Sequence, residues 1–208
     1  MTMRICYQYY PKKRDKVRKI KMIYNIDDNE NIIYGTFKEE KSQEIQAFYE
    51  YYPGTKIYPN ATQKIKYIYN VNKDLHITLG CFVSNTTSEI KVFYEYYPKT
   101  NFDGKQHFHV KKMTYVDEKR SIIRTGIKED KTGRILEYIE YYPNTYYDGK
   151  QKKHIYMIYH INPDGELLYS EEIENLTGKK LYKRTYEAGT KFGQHVNNVS
   201  FVLPYIEI

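Results

Sequence analysis

A Tyr-Tyr-Pro string returns along this chain at a nearly fixed interval: Tyr9-Tyr10-Pro11, Tyr51-Tyr52-Pro53, Tyr96-Tyr97-Pro98 and Tyr141-Tyr142-Pro143, with a worn copy at Tyr186-Glu187-Ala188-Gly189-Thr190. From Tyr51 onward the period is 45 residues. The first interval is 42, yet Lys19-Ile20-Lys21 and Lys64-Ile65-Lys66 stand 45 apart, so the three lost residues fall between Pro11 and Arg18. A period of this length implies a row of supersecondary units, each burying its apolar surface against its neighbours. The columns extend beyond the prolines: Phe48-Tyr49-Glu50 aligns with Phe93-Tyr94-Glu95 and Tyr138-Ile139-Glu140, and Thr55, Thr100, Thr145 and Thr190 recur two residues past the proline position.

Each copy reads as three strands. In the fourth, Lys153 to Ile161 alternates, Asn162-Pro163-Asp164-Gly165 marks a tight turn, and Glu166 to Glu174 reads as a second strand. Asn175-Leu176-Thr177-Gly178 then turns the chain into a third strand, Lys179 to Glu187. Equivalent first turns fall near Asp28, Asp74 and Lys119. Proline has no N–H and a pinned φ, so Pro53, Pro98 and Pro143 are expected to end the strands that close at Tyr52, Tyr97 and Tyr142, and to open a longer connection. No window carries a helical stripe.

The expected fold class is therefore all-β: an extended, curled antiparallel meander of thirteen or fourteen strands, built from four 45-residue, three-stranded repeats in one repeat domain spanning 1–208. The repeats lie at about 11–53, 54–98, 99–143 and 144–188, with terminal strands at 3–10 and 199–206. Ile20-x-Met22-x-Tyr24-x-Ile26 and Ile65-x-Tyr67-x-Tyr69-x-Val71 predict one continuous dry face, opposite a wet face of Lys19, Lys21, Asn25, Lys64, Lys66 and Asn70. With no other segment to cover the dry face, the sheet is expected to curl over it. The alternative is a closed ring or propeller-like array, in which the two terminal strands join one incomplete fifth unit.

The phrases Tyr49-Glu50-Tyr51-Tyr52-Pro53, Glu140-Tyr141-Tyr142-Pro143-Asn144 and Leu176-Thr177-Gly178-Lys179-Lys180 resemble the tyrosine-rich, Asp-Gly- and Thr-Gly-punctuated β-repeats of the MORN-like and tyrosine-aspartate repeat groups. They are also similar to tyrosine-rich repeat proteins of wall-less, AT-rich bacteria. The resemblance covers nearly the whole chain. It implies a β-hairpin array used as a scaffold or binding surface, with no catalytic residue to carry over.

Charge is concentrated at one end. Arg4, Lys12, Lys13, Arg14, Lys16, Arg18, Lys19 and Lys21 face only Asp15 in the first 21 residues, which accounts for the whole net charge of +7. A polyanionic partner would therefore meet the basic patch Lys12, Lys13, Arg14, Lys16, Arg18 and Lys19, with Tyr9 and Tyr10 beside it to stack on bases. Tyrosine dominates the aromatics, with 26 Tyr, 8 Phe and no Trp. Because Tyr buries much area while keeping a polar tip, the paired rings Tyr51, Tyr52, Tyr96, Tyr97, Tyr141 and Tyr142 are the candidate protein-binding surface, with core filling as their other reading. The leading expectation is a non-catalytic scaffold or protein-binding module. The alternative is nucleic-acid or anionic-surface binding through the basic segment.

Sequence frameworks for catalysis, cofactors and metals are missing: there is no Gly-x-Gly-x-x-Gly, Walker-type loop, His-Glu-x-x-His, Gly-x-Ser-x-Gly or Cys-x-x-Cys. No catalytic residue, cofactor or metal site is therefore assigned. His107-x-His109 would share a strand face, with His154 one repeat on from His109, but no third donor is evident. Glu50, Glu95 and Glu140 recur a whole unit apart, which suits hydroxyl or lysine partners better than paired acid–base chemistry. Cys6 and Cys81 read as reduced thiols, no run of 18 apolar residues suggests membrane insertion, and the N-terminus shows no signal-peptide pattern, so a cytoplasmic location is expected. Nothing in the residues sets an oligomeric state.

Overall fold

The structure is a computed structural model describing residues 3–11, 17–58, 63–130, 132–148 and 151–194, and the backbone of 199–204. It falls into two compact units, Met1–His107 and Phe108–Ile208. The first holds β1 (Arg4–Tyr9), β2 (Ile20–Ile26), β3 (Ile32–Lys38), β4 (Ile45–Tyr51), β5 (Ile65–Val71), β6 (Ile77–Val83) and β7 (Ile90–Tyr96). The second holds β8 (Val110–Val116), β9 (Ile122–Lys128), β10 (Ile135–Tyr141), β11 (Ile155–Ile161), β12 (Leu167–Ile173), β13 (Lys180–Tyr186) and β14 (Val199–Pro204).

The fold is all-β, and within each unit every strand pairs antiparallel with its neighbours in chain order. Among the described residues β1 pairs only with β2 and β14 only with β13, so the closed ring is not formed. Third strands end at Tyr51, Tyr96 and Tyr141, one residue before the expected ends. The first strand of the fourth copy begins at Ile155 rather than Lys153, because Gln151–His154 forms a 3-10 turn; Gln106–His109 does the same one repeat earlier.

The three connections of each repeat are built from the same local parts. At the first turn Asp27 Oδ1 accepts the N–H groups of Asn29 and Asn31, at 2.9 and 2.8 Å. Asn72, Asp117 and Asn162 repeat this in turn. Such an Asx turn satisfies two N–H groups locally and fixes the reversal. After the Tyr-Tyr-Pro, the hydroxyls of Thr55, Thr100 and Thr145 donate to the carbonyls of Tyr52, Tyr97 and Tyr142 at 2.6, 2.7 and 2.7 Å. The threonine carbonyls then accept the N–H of Ile32, Ile77 and Ile122, so the long connection is tied back to the start of its own repeat's second strand.

Two features explain why a single dry face does not form. First, every pairing within the units carries a register shift at one end: Gln8 faces Met22 and Tyr9 faces Ile20, leaving Lys21 as the extra residue. A bulge of this kind increases local twist and breaks the two-residue alternation, so a strand's first residue leaves the face of its third. Ile65 accordingly packs with Met22 and Tyr24, while Tyr69 and Val71 of the same strand belong to another cluster. Second, a repeat holds an odd number of strands. Register runs Tyr24–Gly35–Tyr49–Ile68, and Tyr69 follows Ile68, so the matching tyrosines of consecutive repeats point to opposite faces. In the second unit Met113–Gly126–Tyr138–Tyr159 sets Tyr159 opposite to Thr114 in the same way.

The connections pack on these faces, which corrects the expectation that no other segment could cover them. Ile57 packs on the Met22, Tyr24 and Ile26 cluster. Phe102, one repeat on, stacks on Phe48 at 4.5 Å and lies 5.3 Å from Tyr69 on the other face. In the second unit Phe192 stacks on Tyr138 at 4.0 Å and meets Tyr159 edge-on at 5.0 Å. The connections that follow β4, β7 and β13 thus supply these plugs.

Candidate binding surface

The paired tyrosines are fastenings of the repeat. The ring of Tyr51 is buried 6.4 Å from that of Tyr24, and its hydroxyl overhangs Gly35 so closely that a Cβ there would lie 2.9 Å from Tyr51 Oη. Tyr96 overhangs Gly80 likewise, at 2.7 Å. Where the small residue carries a hydroxyl, the overhang becomes a hydrogen bond: Tyr141 Oη donates to Thr125 Oγ1 at 3.3 Å, and Tyr186 Oη pairs with Ser170 Oγ at 2.8 Å. Burial pushes the phenols of Tyr51 and Tyr96 well above the ordinary range.

The second ring of each pair latches across repeats. Tyr52 Oη donates to the Val83 carbonyl at 2.7 Å and Tyr142 Oη to the Ile173 carbonyl at 2.9 Å; Tyr10 Oη reaches the Lys38 carbonyl at 2.7 Å. Tyr97 is half-buried in the same column, and none of the six nominated rings is exposed.

Of the carboxylate column, Glu50 accepts the Tyr69 hydroxyl at 3.1 Å and the amide of buried Gln106 at 2.8 Å, and Glu140 accepts the Tyr159 hydroxyl at 3.0 Å. Burial, with the nearby carboxylate adding to it, drives both phenols up, while the Gln106 contact opposes the rise at Tyr69. The histidines do not share a strand face: His107 and His109 lie in the 3-10 turn, and His109 Nδ1 is 3.0 Å from Asp130 Oδ1. One repeat on, His154 Nδ1 is 3.1 Å from Asn175 Oδ1. Among the described residues no group of three His, Cys, Asp or Glu side chains could hold a metal ion.

A charged cluster that the strand pattern did not single out surrounds His160. Its Nδ1 lies 3.3 Å from Glu137 and its Nε2 3.4 Å from Glu171, and the ring stacks on Tyr169 at 4.1 Å. Lys180 reaches buried Glu171 at 2.7 Å, and the Lys183 ammonium sits 3.9 Å over the Tyr169 ring. Burial alone would lower the imidazole's pKa, but the two carboxylates outweigh it and hold the pKa above its ordinary value. Residues of four strands, β10 to β13, meet here, and only tertiary register could bring them together.

Lys12, Lys13, Arg14 and Lys16 lie outside the described residues. Of the rest of the basic patch, Lys19 Nζ donates to the carbonyls of Glu40 and Lys41 at 2.7 and 3.0 Å, and the Arg18 guanidinium lies 5.4 Å over the Tyr9 ring.

Exposed apolar side chains occur along the whole chain, and four of them follow one another at alternate positions on β1 and the residue just before it. Met3 and Ile5 are each 54% exposed, Tyr7 50% and Tyr9 41%. By sequence alignment Ile5 matches Ala47 and Val92, which are 3% and 6% exposed, then half-buried Glu137 and exposed Tyr182, and Tyr9 matches Tyr51 at 7% and half-buried Tyr96, Tyr141 and Tyr186. Against Ala47, Val92 and Tyr51 the difference is a neighbour: β4 and β7 have β3 and β6 on one side, whereas among the described residues β1 has no strand on that side. No family model matches this chain and no curated protein is similar to it, so the resemblance to MORN-like repeats stands on its quoted phrases alone.

Proposed function

We propose that the protein is a non-catalytic repeat module that binds another protein through the edge and uncovered side chains of β1. The observation that carries this is the contrast between exposed Ile5 and Tyr9 and their buried counterparts Ala47, Val92 and Tyr51 in the first two internal third strands. Covering the exposed halves of Ile5, Tyr7 and Tyr9 would contribute about 3 kcal/mol, enough to seat a partner once backbone pairing adds to it. The internal tyrosine pairs are committed to holding the repeats together, so they support the scaffold. A cytoplasmic setting accords with the two unbridged cysteines, Cys6 and Cys81. Among the described residues no helix is long and apolar enough to cross a membrane.

Selection of displayed random peptides on the intact chain, counter-screened against an Ile5→Lys/Tyr7→Lys variant, tests the reading. Peptides that bind the parent and lose at least about tenfold in affinity on the variant are expected. Reversing Lys12, Lys13, Arg14 and Lys16 to Glu should leave that binding unchanged. Peptides indifferent to the β1 substitutions would refute the proposal. So would single-stranded nucleic acid binding, with a log–log salt slope of about −3, that disappears on the charge reversal in a chain that selects no peptide.

A further inference from the structure

We infer that the free edge of β1 accepts, by strand addition, an extended segment of another protein that has the character of this chain's own second strands and carries a glycine or other small residue opposite Tyr7. The inference rests on the binding-module reading and names the class of partner.

β1 is a third strand by sequence and by structure. Arg4 to Pro11 aligns with Gln46 to Pro53, and Tyr10 makes the same cross-repeat hydroxyl-to-carbonyl bond as Tyr52 and Tyr142. Every other third strand within the two units has a second strand antiparallel to it on the side that β1 leaves open. In each of those pairings a small residue takes the slot matching Tyr7: Gly35 faces Tyr49, Gly80 faces Tyr94, Thr125 faces Ile139 and Ser170 faces Arg184. The small residue is required because the strand's closing tyrosine, equivalent to Tyr9, lies over it, with less than 3 Å from its hydroxyl to a would-be Cβ at Gly35 and at Gly80. Tyr9 has no such residue beneath it, and its ring is exposed.

The same rule says why the occupant is not a second copy of this chain. The edges a second copy would offer are β1, a third strand, and β14, which stands where a first strand belongs; neither is of the second type. The chemistry that fits is an extended segment with apolar residues at its start and a small residue at its fourth position, as in Ile32–Lys38 and Ile77–Val83.

The test uses a fluorescein-labelled synthetic peptide with the sequence of residues 31–39 and the intact chain, read by polarisation and by amide hydrogen exchange. Saturable binding is expected, with exchange slowed across Arg4–Tyr9. Gly35→Phe in the peptide should weaken binding by at least about tenfold, because a ring far larger than the Thr125 that fills this slot in the third copy would strike the Tyr9 ring. The inference is overturned if the phenylalanine peptide binds as well as the glycine one, if protection appears away from β1, or if the peptide does not bind. It is equally overturned if the chain sediments as a dimer that Tyr7→Lys dissociates, since the edge would then be closed by a second copy. If displayed peptides still bind at β1 while the second-strand peptide does not, the strand rule fails and the binding-module reading survives. If neither binds, both fail.

Discussion

Replacing Gly80 with alanine isolates the contact on which the repeat closes. A Cβ at Gly80 would lie 2.7 Å from Tyr96 Oη, 2.9 Å from its Cε2 and 3.2 Å from its Cζ, all inside normal contact distance. The phenol is half-buried and turns on only two torsions, so it relieves the clash by shifting the whole ring. Overpacking of this kind costs about 1–3 kcal/mol, and the backbone entropy gained by removing a strand glycine returns about 0.5–1 kcal/mol. The net expectation is a loss of about 1–2 kcal/mol, a fall of roughly 2–8 °C in Tm for a chain of this size. Two further variants separate the clash from any general intolerance at this site. Tyr96→Phe removes the nearest atom but leaves Cε2 at 2.9 Å, so it should recover part of the loss in the double variant. Gly80→Ser, although larger than alanine, should cost less, because its hydroxyl can make the bond that Ser170 makes with Tyr186 at 2.8 Å. Thermal and denaturant melts of the four chains measure the coupling. A neutral or stabilising Gly80→Ala, or a double variant no more stable than the single, would refute the reasoning.

Two other perturbations follow from the same geometry. Lys99 holds a left-handed φ of 65° where Gly54 and Gly189 stand in sister repeats, so Lys99→Gly should stabilise the chain by about 0.5–1 kcal/mol, read from the denaturation midpoint. His160 has its pKa raised in the folded chain by Glu137 and Glu171 against the opposing effect of burial, so its contribution to stability is complete below the ordinary value of 6.5 and is lost as pH rises through the elevated one. Tm measured across that window should fall with rising pH in the parent and fall less in His160→Gln; equal slopes would show that the carboxylates do not stabilise the imidazolium.

The repeat, its three strands and the turns at Asp28, Asp74, Lys119 and Asp164 were legible in the sequence because they depend on local chemistry that recurs every 45 residues. An Asx side chain closes its own turn, and a proline ends its own strand, whatever lies beyond. The tyrosine columns were legible as columns but not in their role. A ring that faces a partner and a ring that overhangs a glycine share one pattern, and Gly35 and Gly80 gain meaning only when β3 lies beside β4 and β6 beside β7.

The faces were decided by tertiary structure alone. Alternation within a strand says which side chains share a side, but the bulge in each pairing moves the first residue across, and three strands per repeat turn the next copy over. Asn25, expected on the wet side, is therefore buried, while Asn70 in the same column is exposed. The cluster around His160 and the open edge of β1 have the same origin. One needs four strands in register, and the other is marked only by the lack, among the described residues, of a second strand beside it, a property of neighbours that no single strand's residues encode.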